Sequence, residues 1–290
     1  MRAAALLCLL ALAAGCGANR PAPAATGGAA RPANRTPALC RALHVRVTGR
    51  VPDPSANELS GLVRSPSQDG LLWSHDDSGS GPVLYGLRAD GRVVARPTVT
   101  GAQAVDWEDI AAGPGPTLYV GDIGDNDSER KTIDVYRVRE PRVGAAATAP
   151  ATRLRLHYPD GAHDAEALLV DPVRGDIIVV TKTLGGATAY RAAGAALRRI
   201  GDVPGARFVT GGDVSADGRI VALRGYDRVW VWVRRGREPL TATLRRTPCS
   251  SPTSLLSEGQ GEAIALDRHG GSFMTVAEGT PAVLRRYVPR

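Results

Sequence analysis

Asp106-Trp107-Glu108-Asp109-Ile110-Ala111 is the stretch of sequence that decides the fold, because its pattern recurs along the chain. Two acidic residues stand two positions apart, and an aliphatic residue follows two positions after the second. Two strong copies and two weaker ones share this order: Asp164-Ala165-Glu166-Ala167-Leu168, Gln260-Gly261-Glu262-Ala263-Ile264, Glu58-Leu59-Ser60-Gly61-Leu62 and Gly211-Gly212-Asp213-Val214-Ser215. Their middle positions (Ser60, Glu108, Glu166, Asp213 and Glu262) are 48, 58, 47 and 49 residues apart. A period in this range indicates a repeat architecture.

Short apolar runs follow each copy and predict β-strands. They are rich in β-branched and aromatic residues and are bounded by turn residues, as in Leu118-Tyr119-Val120 and Val229-Trp230-Val231-Trp232-Val233. Three or four such strands in a unit of about fifty residues correspond to one blade of a β-propeller. The chain is therefore predicted to be all-β and to form a single five-bladed β-propeller. The strand at His44-Val45-Arg46-Val47-Thr48 precedes the first copy, so we expect it to close the ring by joining the last blade.

The first 39 residues predict an export signal and a stalk. Residues 1–15 have a charged start and an apolar run too short for the roughly 20 residues of a membrane span, which is typical of a secretion signal. The ending Leu12-Ala13-Ala14-Gly15-Cys16 resembles the lipobox of bacterial lipoproteins, which implies lipidation of Cys16. Residues 16–39 are rich in Ala and Pro and predict a flexible stalk before the propeller at 40–290. We expect an extracytoplasmic protein anchored to the outer face of the membrane, or secreted if it is not lipidated.

The cysteines agree with export. Cys8 lies in the signal and Cys16 is the lipid acceptor, which leaves Cys40 and Cys249. An oxidising compartment allows these two to form a disulfide, which would clamp the closure of the ring. Two separately buried thiols are the alternative.

The basic charge does not predict a nucleic-acid partner. The net charge is +7, yet Lys131 and Lys182 are the only lysines, so 34 of the 36 basic residues are Arg. These arginines are dispersed, without a basic run or an RNA-binding motif. We expect a mildly basic solvated surface, a monomer and no bound nucleic acid.

Candidate functional residues converge at one mouth of the central channel. The first strand of each blade starts at this mouth and the second strand returns to it, so two sets of residues meet there. Alternation along a strand also places the acids of each i, i+2 pair on one side. The first set is Glu58, Ser60, Asp106, Glu108, Asp164, Glu166, Asp213 and Glu262; the second is His75, Asp76, Asp77, Asp122, Asp125, Asn126, Lys182, Arg224 and Glu278.

Such a mouth is strongly acidic and has two interpretations. Clustered carboxylates are costly unless they are protonated, paired or bound to a cation. Oxygen-only ligands suit Ca²⁺, and the predicted metal ligands are Glu108, Glu166, Asp122, Glu262 and Asp213. Alternatively, the acids hold the blades together by bonding backbone amides, Lys182 or Arg224.

The blade starts Glu58-Leu59-Ser60-Gly61-Leu62 and Asp106-Trp107-Glu108-Asp109-Ile110 resemble extracytoplasmic propellers of the phytase-like, SdiA-regulated and TolB-like groups. Trp73-Ser74-His75-Asp76-Asp77-Ser78-Gly79 and the run from Tyr119 to Asn126 resemble a set of actinobacterial lipoproteins with the same layout. The phytase-like resemblance implies calcium and phosphate-ester hydrolysis, with acids holding metal and Lys182 or Arg224 holding phosphate. Those groups often have six blades, which keeps six as the alternative to five.

Two function classes follow. As a lipid-anchored binding or scaffold module, the protein presents its acidic mouth to an envelope or extracellular ligand. As a calcium-dependent hydrolase, it acts on esters, phosphoesters or lactones, with His75 or Asp76 as the base and Lys182, Arg224, Asp106 and Asp164 contacting the substrate. No nucleophile elbow, HExxH motif or phosphate-binding loop occurs in the sequence, so we favour the binding module.

Overall fold

Twenty short β-strands dominate the part of the chain that the computed structural model describes, which is residues 36–77, 79 and 81–290. The remaining elements are a 3-10 turn at Ala38–Cys40, the helix α1 at Leu240–Leu244 and a 3-10 turn at Leu256–Glu258. The strands are β1 (Leu43–Val51), β2 (Leu59–Arg64), β3 (Leu71–Asp76), β4 (Tyr85–Arg88), β5 (Val93–Ala95), β6 (Trp107–Ala112), β7 (Thr117–Asp122), β8 (Ile133–Arg139), β9 (Thr152–Leu156), β10 (Ala165–Val170), β11 (Ile177–Thr181), β12 (Thr188–Ala193), β13 (Ala196–Asp202), β14 (Val209–Val214), β15 (Ile220–Gly225), β16 (Val229–Val233), β17 (Cys249–Ser250), β18 (Gly261–Leu266), β19 (Phe273–Ala277) and β20 (Ala282–Pro289).

The strands form five antiparallel four-stranded sheets, and each sheet is one blade. From the centre outward, the blades are β2 to β5, β6 to β9, β10 to β13, β14 to β17, and β18, β19, β20 and β1. The innermost strands β2, β6, β10, β14 and β18 contact one another in a ring, with β18 against β2. The five-bladed β-propeller predicted from the repeat is therefore confirmed, and the six-bladed alternative is wrong.

The N-terminal strand closes the ring, as predicted. Strand β1 pairs antiparallel with β20, from Leu43 opposite Pro289 to Val51 opposite Ala282. The fifth blade thus has its outer strand from one end of the chain and its three inner strands from the other. This closure protects the fold because residues distant in sequence must separate together before the ring can open.

A disulfide between Cys40 and Cys249 reinforces the closure and confirms the predicted pair. Cys249 lies on the outer strand of the fourth blade, and Cys40 lies just before β1, so the bond joins the fourth blade to the closing segment. Two hydrogen bonds follow the same seam, from Ser251 Oγ to the carbonyl of Arg41 and from the Leu43 amide to Thr253 Oγ1.

The folded part begins slightly before Cys40. Leu39, which the sequence analysis assigned to the stalk, is only 1% exposed and packs with Leu43, Val229 and Tyr287. The predicted signal at residues 1–15, Cys16 and most of the stalk lie outside the described residues. No helix within 36–77, 79 and 81–290 has the length and apolar character needed to cross a membrane.

The hydrophobic core is divided among the five seams between neighbouring blades. One apolar cluster fills each seam, and each cluster combines side chains of two adjacent sheets. Between the first and second blades, for example, Trp73 and Leu84 pack with Trp107 and Tyr136. The blade strands are short, continuous apolar runs because most of their faces are covered by the next blade.

Every innermost strand contains a register shift near its start. Strand β6 pairs Trp107 with Asp122 and Asp109 with Gly121, which leaves Glu108 as an extra residue. The extra residues at the same place in the third, fourth and fifth blades are Glu166, Thr210 and Glu262, and the first blade has its shift at Ser60 and Gly61. A β-bulge re-aims a side chain and often marks a functional site.

Candidate metal centre

Three of the five bulge positions carry a glutamate, and these side chains are almost completely buried. Glu108, Glu166 and Glu262 are 4%, 2% and 6% exposed. The other two bulges carry hydroxyl residues that join the blades: Ser60 Oγ donates to the carbonyl of Glu108, and Thr210 Oγ1 donates to the carbonyl of Gly261. The bulge is thus a common backbone feature with two different uses.

A second ring of residues surrounds the same mouth. It consists of the residue that follows the second strand in each blade: Asp77, Ile123, Lys182, Tyr226 and Glu278. In the first, second, third and fifth blades, a backbone hydrogen bond ties this ring to the residue two positions before the bulge, as from the Lys182 amide to the Asp164 carbonyl and from the Asp77 amide to the Glu58 carbonyl. The mouth is therefore acidic on most sides, and the ammonium group of Lys182 lies on the side of the third blade.

Two overlapping sets of carboxylates in this mouth have the spacing of a metal site. The first set is Asp77, Asp106 and Glu108; the second is Glu108, Asp164 and Glu166. In each set, one oxygen from every residue lies within 4.8 Å of the others. Oxygens bound to one Ca²⁺ at roughly 2.4 Å are at most about twice that distance apart, so each set fits around one ion. The pairing of Asp106 with Glu108, and of Asp164 with Glu166, is the one that strand alternation predicts.

Glu108 belongs to both sets, and its carboxylate has no hydrogen-bond partner among the described residues. Gly124 makes room for this side chain: a Cβ at that position would lie 2.2 Å from Glu108 Oε1 and 2.5 Å from an oxygen of Asp106. Burying a charged carboxylate without a partner is costly. The position therefore calls for a proton or a cation.

Glu166 has one occupied and one unoccupied oxygen. Its Oε1 forms a short ion pair with Lys182 Nζ, while Oε2 is buried and accepts no hydrogen bond within the described part of the chain. Lys182 also lies over the ring of Tyr226, 5.7 Å from its centroid. Burial alone would lower the pKa of Lys182, but the negative charge of Glu166 outweighs it and raises that pKa.

Carboxyl groups around the mouth hold their protons unusually well. Burial, followed by repulsion from Asp106, raises the pKa of Asp77 to about 7. Burial and the charge of Glu262 raise the pKa of Glu278 to about 8, and burial raises the pKa of Glu166 to about 8 although Lys182 opposes the shift. The pKa of Glu108 is raised well above its ordinary value by burial and by repulsion from Glu166 and Asp77. A bound cation would relieve this repulsion.

A backbone amide holds Asp164, another candidate ligand, in place. Asp164 Oδ1 accepts a hydrogen bond from the Asp125 amide at 3.0 Å, and the carboxylate of Asp125 in turn accepts the amides of Glu129 and Arg130. Asp125, Glu129 and Arg130 belong to the connection between β7 and β8, which thus orients Asp164 through its backbone.

Asp109, within the opening sequence pattern, is a structural residue. It is fully buried, and its carboxylate accepts the amides of Ile110, Leu168 and Gly212 at 2.9, 2.9 and 3.1 Å. These amides belong to the second, third and fourth blades, so one side chain joins three of the five. The pKa of Asp109 is raised by burial, against the effect of these donors.

Asp213 has a similar structural position and lies apart from both carboxylate sets. It stands three residues beyond the bulge at Thr210, so the sequence alignment of Asp213 with Glu108 is wrong. Its carboxylate accepts the amides of Val214 and Leu266, each at 2.7 Å, which joins the fourth blade to the fifth. Glu262 is near the sets: its Oε1 accepts a 3.3 Å hydrogen bond from Tyr226.

His75 and Asp76, the two residues predicted as catalytic bases, are both buried. His75 is 0% exposed and packs edge-on against Trp107, and burial lowers its pKa to about 4. Asp76 is 5% exposed and accepts a 3.2 Å hydrogen bond from the Tyr85 hydroxyl. A base that receives a proton from a substrate must lie within hydrogen-bond reach of it.

Arg224 and Asp122 also have partners within the protein. Arg224 is 0% exposed; its Nη1 pairs with Glu258 Oε2 at 3.1 Å and donates to the carbonyl of Ala263. Asp122 Oδ1 pairs with Arg130 at 2.8 Å, and its pKa is raised by burial. The structure therefore places Arg224 in the seam between the fourth and fifth blades and Asp122 beside the 124–130 loop.

Two residues that shape this region, Tyr226 and Glu258, were not predicted from the sequence. Tyr226 contacts both Lys182 and Glu262, and Glu258 is buried and accepts hydrogen bonds from Thr275 and Tyr287. Tyr226 was detectable, because it directly follows a second strand, as Asp77, Lys182 and Glu278 do. Glu258 lies in a 3-10 turn outside the repeat and carried no signal.

Comparisons with known proteins find distant structural neighbours and no match in sequence. The chain matches no protein-family model and no curated protein sequence. It resembles the solved structures of a gluconolactonase from Xanthomonas campestris (15% identity over 86% of this chain and 90% of that one, TM-score 0.49) and of a PQQ-bound aldose sugar dehydrogenase from Streptomyces coelicolor (12%, 84% and 98%, 0.46). A chain of a nidogen–laminin complex is similar at 14% identity over 77% and 73%, with a TM-score of 0.44. At these identities the likeness concerns the fold alone.

Proposed function

We propose that the protein is an extracytoplasmic binding module whose acidic channel mouth holds a divalent cation, with Ca²⁺ as the preferred ion. The observation that carries the proposal is Glu108, a buried carboxylate shared by two ligand-spaced sets and without a hydrogen bond in the described residues. The unoccupied Oε2 of Glu166 supports the same conclusion. Structural acids in this protein look different, since Asp109 and Asp213 have backbone amides on their carboxylates.

The donor chemistry favours calcium over a transition metal. Both sets contain only carboxylates, with neither His nor Cys among them. Hard oxygen ligands in excess of four suit Ca²⁺, which accepts six to eight, whereas zinc sites usually combine His and Cys in a tetrahedron. Glu108 is the central ligand, and Asp77, Asp106, Asp164 and Glu166 are available around it.

Exposed apolar side chains near this mouth support a binding role. Val105, Leu184, Phe208 and Leu256 are 59%, 70%, 40% and 68% exposed, and each lies in a segment that leads into an innermost strand or follows a second strand. The Phe208 amide donates to the carbonyl of Thr183, which brings two of these segments together. A contiguous apolar patch rimmed by polar residues is typical of a surface that receives a partner.

A second candidate function is hydrolysis of an ester, phosphoester or lactone. Lys182 favours it, because an ammonium group beside a metal site can stabilise negative charge that develops on an oxygen. The cation would polarise the substrate and activate water when bound. Neither His75 nor Arg224 has a place in this version, since both are fully buried.

Export and lipid attachment are part of the proposal. The disulfide is of the kind that forms in oxidising compartments outside the cytoplasm. The signal-like N-terminus and the lipobox-like sequence at Cys16 support anchoring through a lipid. Globomycin sensitivity and mass spectrometry of the mature N-terminus would test the anchor; an unmodified N-terminus would exclude it.

A thermal melt tests the cation site. The chelator-treated protein should melt at a higher temperature as calcium is titrated, because a ligand of the native state stabilises it by mass action. Glu108→Gln should abolish this rise, whereas Glu129→Gln, at an exposed loop glutamate, should keep it. The proposal would be refuted if calcium, manganese and zinc all left the melting temperature of the wild type unchanged. Calcium-dependent turnover of model esters or lactones that Lys182→Met removes would favour the hydrolase.

A further inference from the structure

Arg64 breaks the repeat at the opposite end of the channel. It is the last residue of β2, and the last residues of the other innermost strands are Ala112, Val170, Val214 and Leu266. Each of the five is paired with the start of its second strand, so the positions are equivalent. Four blades thus have an aliphatic side chain where the first blade has a guanidinium.

Arg64 has no hydrogen bond or ion pair within the described part of the chain. It is half-buried, and its Nε is shielded from solvent and has no partner. Arg224 and Arg234, by contrast, form ion pairs with the buried carboxylates of Glu258 and Asp171, although Nε and Nη2 of Arg224 are buried without a partner in the described part of the chain. An unpaired buried donor lowers stability, so a ligand that accepts a hydrogen bond from Arg64 would be stabilising at this position.

The guanidinium borders a cavity of about 470 Å³ at this end of the channel, and residues of all five blades line it. Such a volume lies within the range of small-molecule sites, which is roughly 300 to 1,000 Å³. Ala112, Val214 and Leu266 contribute apolar wall, while Arg64 and the exposed Arg268 contribute positive charge.

Three acids also line this cavity, Asp69, Asp213 and Asp267; Asp69 is exposed to solvent, and the other two have hydrogen-bond partners within the protein. Asp267 accepts the amides of His269 and Gly271 and the hydroxyl of Ser272, and Asp213 accepts the amides of Val214 and Leu266. Neither comes within ion-pair distance of Arg64. Arg286 adds positive charge, and its Nε is also buried and without a partner in the described chain. Burial lowers the pKa of Arg64; the negative charge of Asp267 opposes this shift, and the positive charge of Arg286 adds to it.

We propose that this second mouth binds a small oxyanion, either a carboxylate or a phosphate, through the guanidinium of Arg64. The planar guanidinium fork matches both anions with two parallel hydrogen bonds. The protein would then have two sites of opposite charge preference at the two ends of one channel. The oxyanion site does not depend on the cation site, since the two share no residue.

Thermal melts of the full chain test this proposal, in chelator and at constant ionic strength set with sodium chloride. Sodium phosphate or sodium acetate should raise the melting temperature of the wild type saturably, and the more effective anion identifies the ligand class. Arg64→Gln should raise the anion concentration that gives half of the maximal effect at least tenfold. Arg219→Gln, the matched loss of an exposed arginine outside the cavity, should leave it unchanged.

A second variant separates binding from folding. Arg64→Leu restores the residue type of the other blades, so without oxyanion it should melt at or above the wild-type temperature and no longer respond to either anion. The proposal is overturned if neither phosphate nor acetate raises the melting temperature of the wild type more than chloride does at the same ionic strength. It is equally overturned if Arg64→Gln responds as the wild type does, because the effect would then be general salt exclusion.

Discussion

Raising the pH should destabilise the metal-free protein between pH 6.5 and 8. Burial and neighbouring negative charge raise the pKa values of Asp77, Glu166 and Glu278 to about 7, 8 and 8. A carboxyl group with a raised pKa keeps its proton in the folded state at pH values where the unfolded chain has released it. The stability it contributes is complete below the unfolded-state pKa of about 4 and is lost as the pH rises through the folded-state pKa. Carboxylates in ordinary ion pairs have the opposite effect.

The size of this effect follows from the number of protons that the folded state retains. Each retained proton lowers the free energy of unfolding by about 1.4 kcal/mol per pH unit. We count one for the whole cluster, because Asp77 and Glu278 are partly exposed to screening solvent and the groups share protons. The loss from pH 6.5 to 8 is then ~2 kcal/mol, or about 4 to 8 °C in melting temperature for a domain of this size.

The assay is differential scanning fluorimetry of chelator-treated protein across this range at constant ionic strength. The lower limit is pH 6.5 because burial lowers the pKa of His75 to about 4. Below pH 6.5 this histidine takes up a proton in the unfolded chain but not in the folded one, so it makes stability rise with pH and opposes the trend. Calcium should stabilise more strongly at higher pH, since it binds the deprotonated ligands. Glu166→Gln should reduce the slope of the pH dependence, part of which Asp77, Asp213 and Glu278 retain, whereas Glu129→Gln should leave the slope unchanged. A chelated wild type that melts at a constant or rising temperature from pH 6.5 to 8 would refute the reasoning.

Three further predictions concern the structural residues. Asp109→Ala leaves three buried amides without an acceptor and should lower the free energy of unfolding in urea by at least about 3 kcal/mol, at about 1 to 3 kcal/mol per unmet group; a loss below about 1 kcal/mol would contradict its joining role. Arg224→Met leaves Glu258 buried without its cation and should lower the free energy of unfolding by about 3 to 5 kcal/mol. Arg228→Met, at an exposed pair, should lower it by less than about 1 kcal/mol. A loss at Arg224 as small as that at Arg228 would show that the buried pair is unimportant. Cys249→Ser removes a bond between residues 209 positions apart and should cost about 2 to 5 kcal/mol, measured against the wild type with and without reductant; a variant as stable as the oxidised wild type would exclude the clamp.

The architecture could be predicted from sequence because it depends on repetition. Five copies of one pattern at similar spacing, each followed by apolar runs, require five similar units, and a strand before the first copy has no blade unless it joins the last one. The disulfide followed from counting the cysteines left after the signal and the lipid acceptor. None of these inferences needs the exact register of a strand.

The candidate site could be predicted only in part, because it depends on register. Alternation correctly paired Asp106 with Glu108 and Asp164 with Glu166. The bulge in the fourth blade lies at Thr210, however, and the acid of that blade comes three residues later, where it bonds backbone amides. His75 and Arg224 show the same limit: both are polar residues at the right end of a second strand, yet their side chains turn into the seams between blades.

The bulge positions explain how one repeat serves both structure and chemistry. All five blades keep the backbone irregularity, so its recurrence reflects the geometry of the ring. What varies is the side chain that the bulge presents. Ser60 and Thr210 use short hydroxyls to bond the next blade, whereas Glu108, Glu166 and Glu262 extend into the mouth. If the glutamates were also structural, their carboxylates would have backbone amides, as Asp109 and Asp213 do. Glu108 has none in the described chain, and this difference between neighbouring acids of the same strand argues for a bound cation.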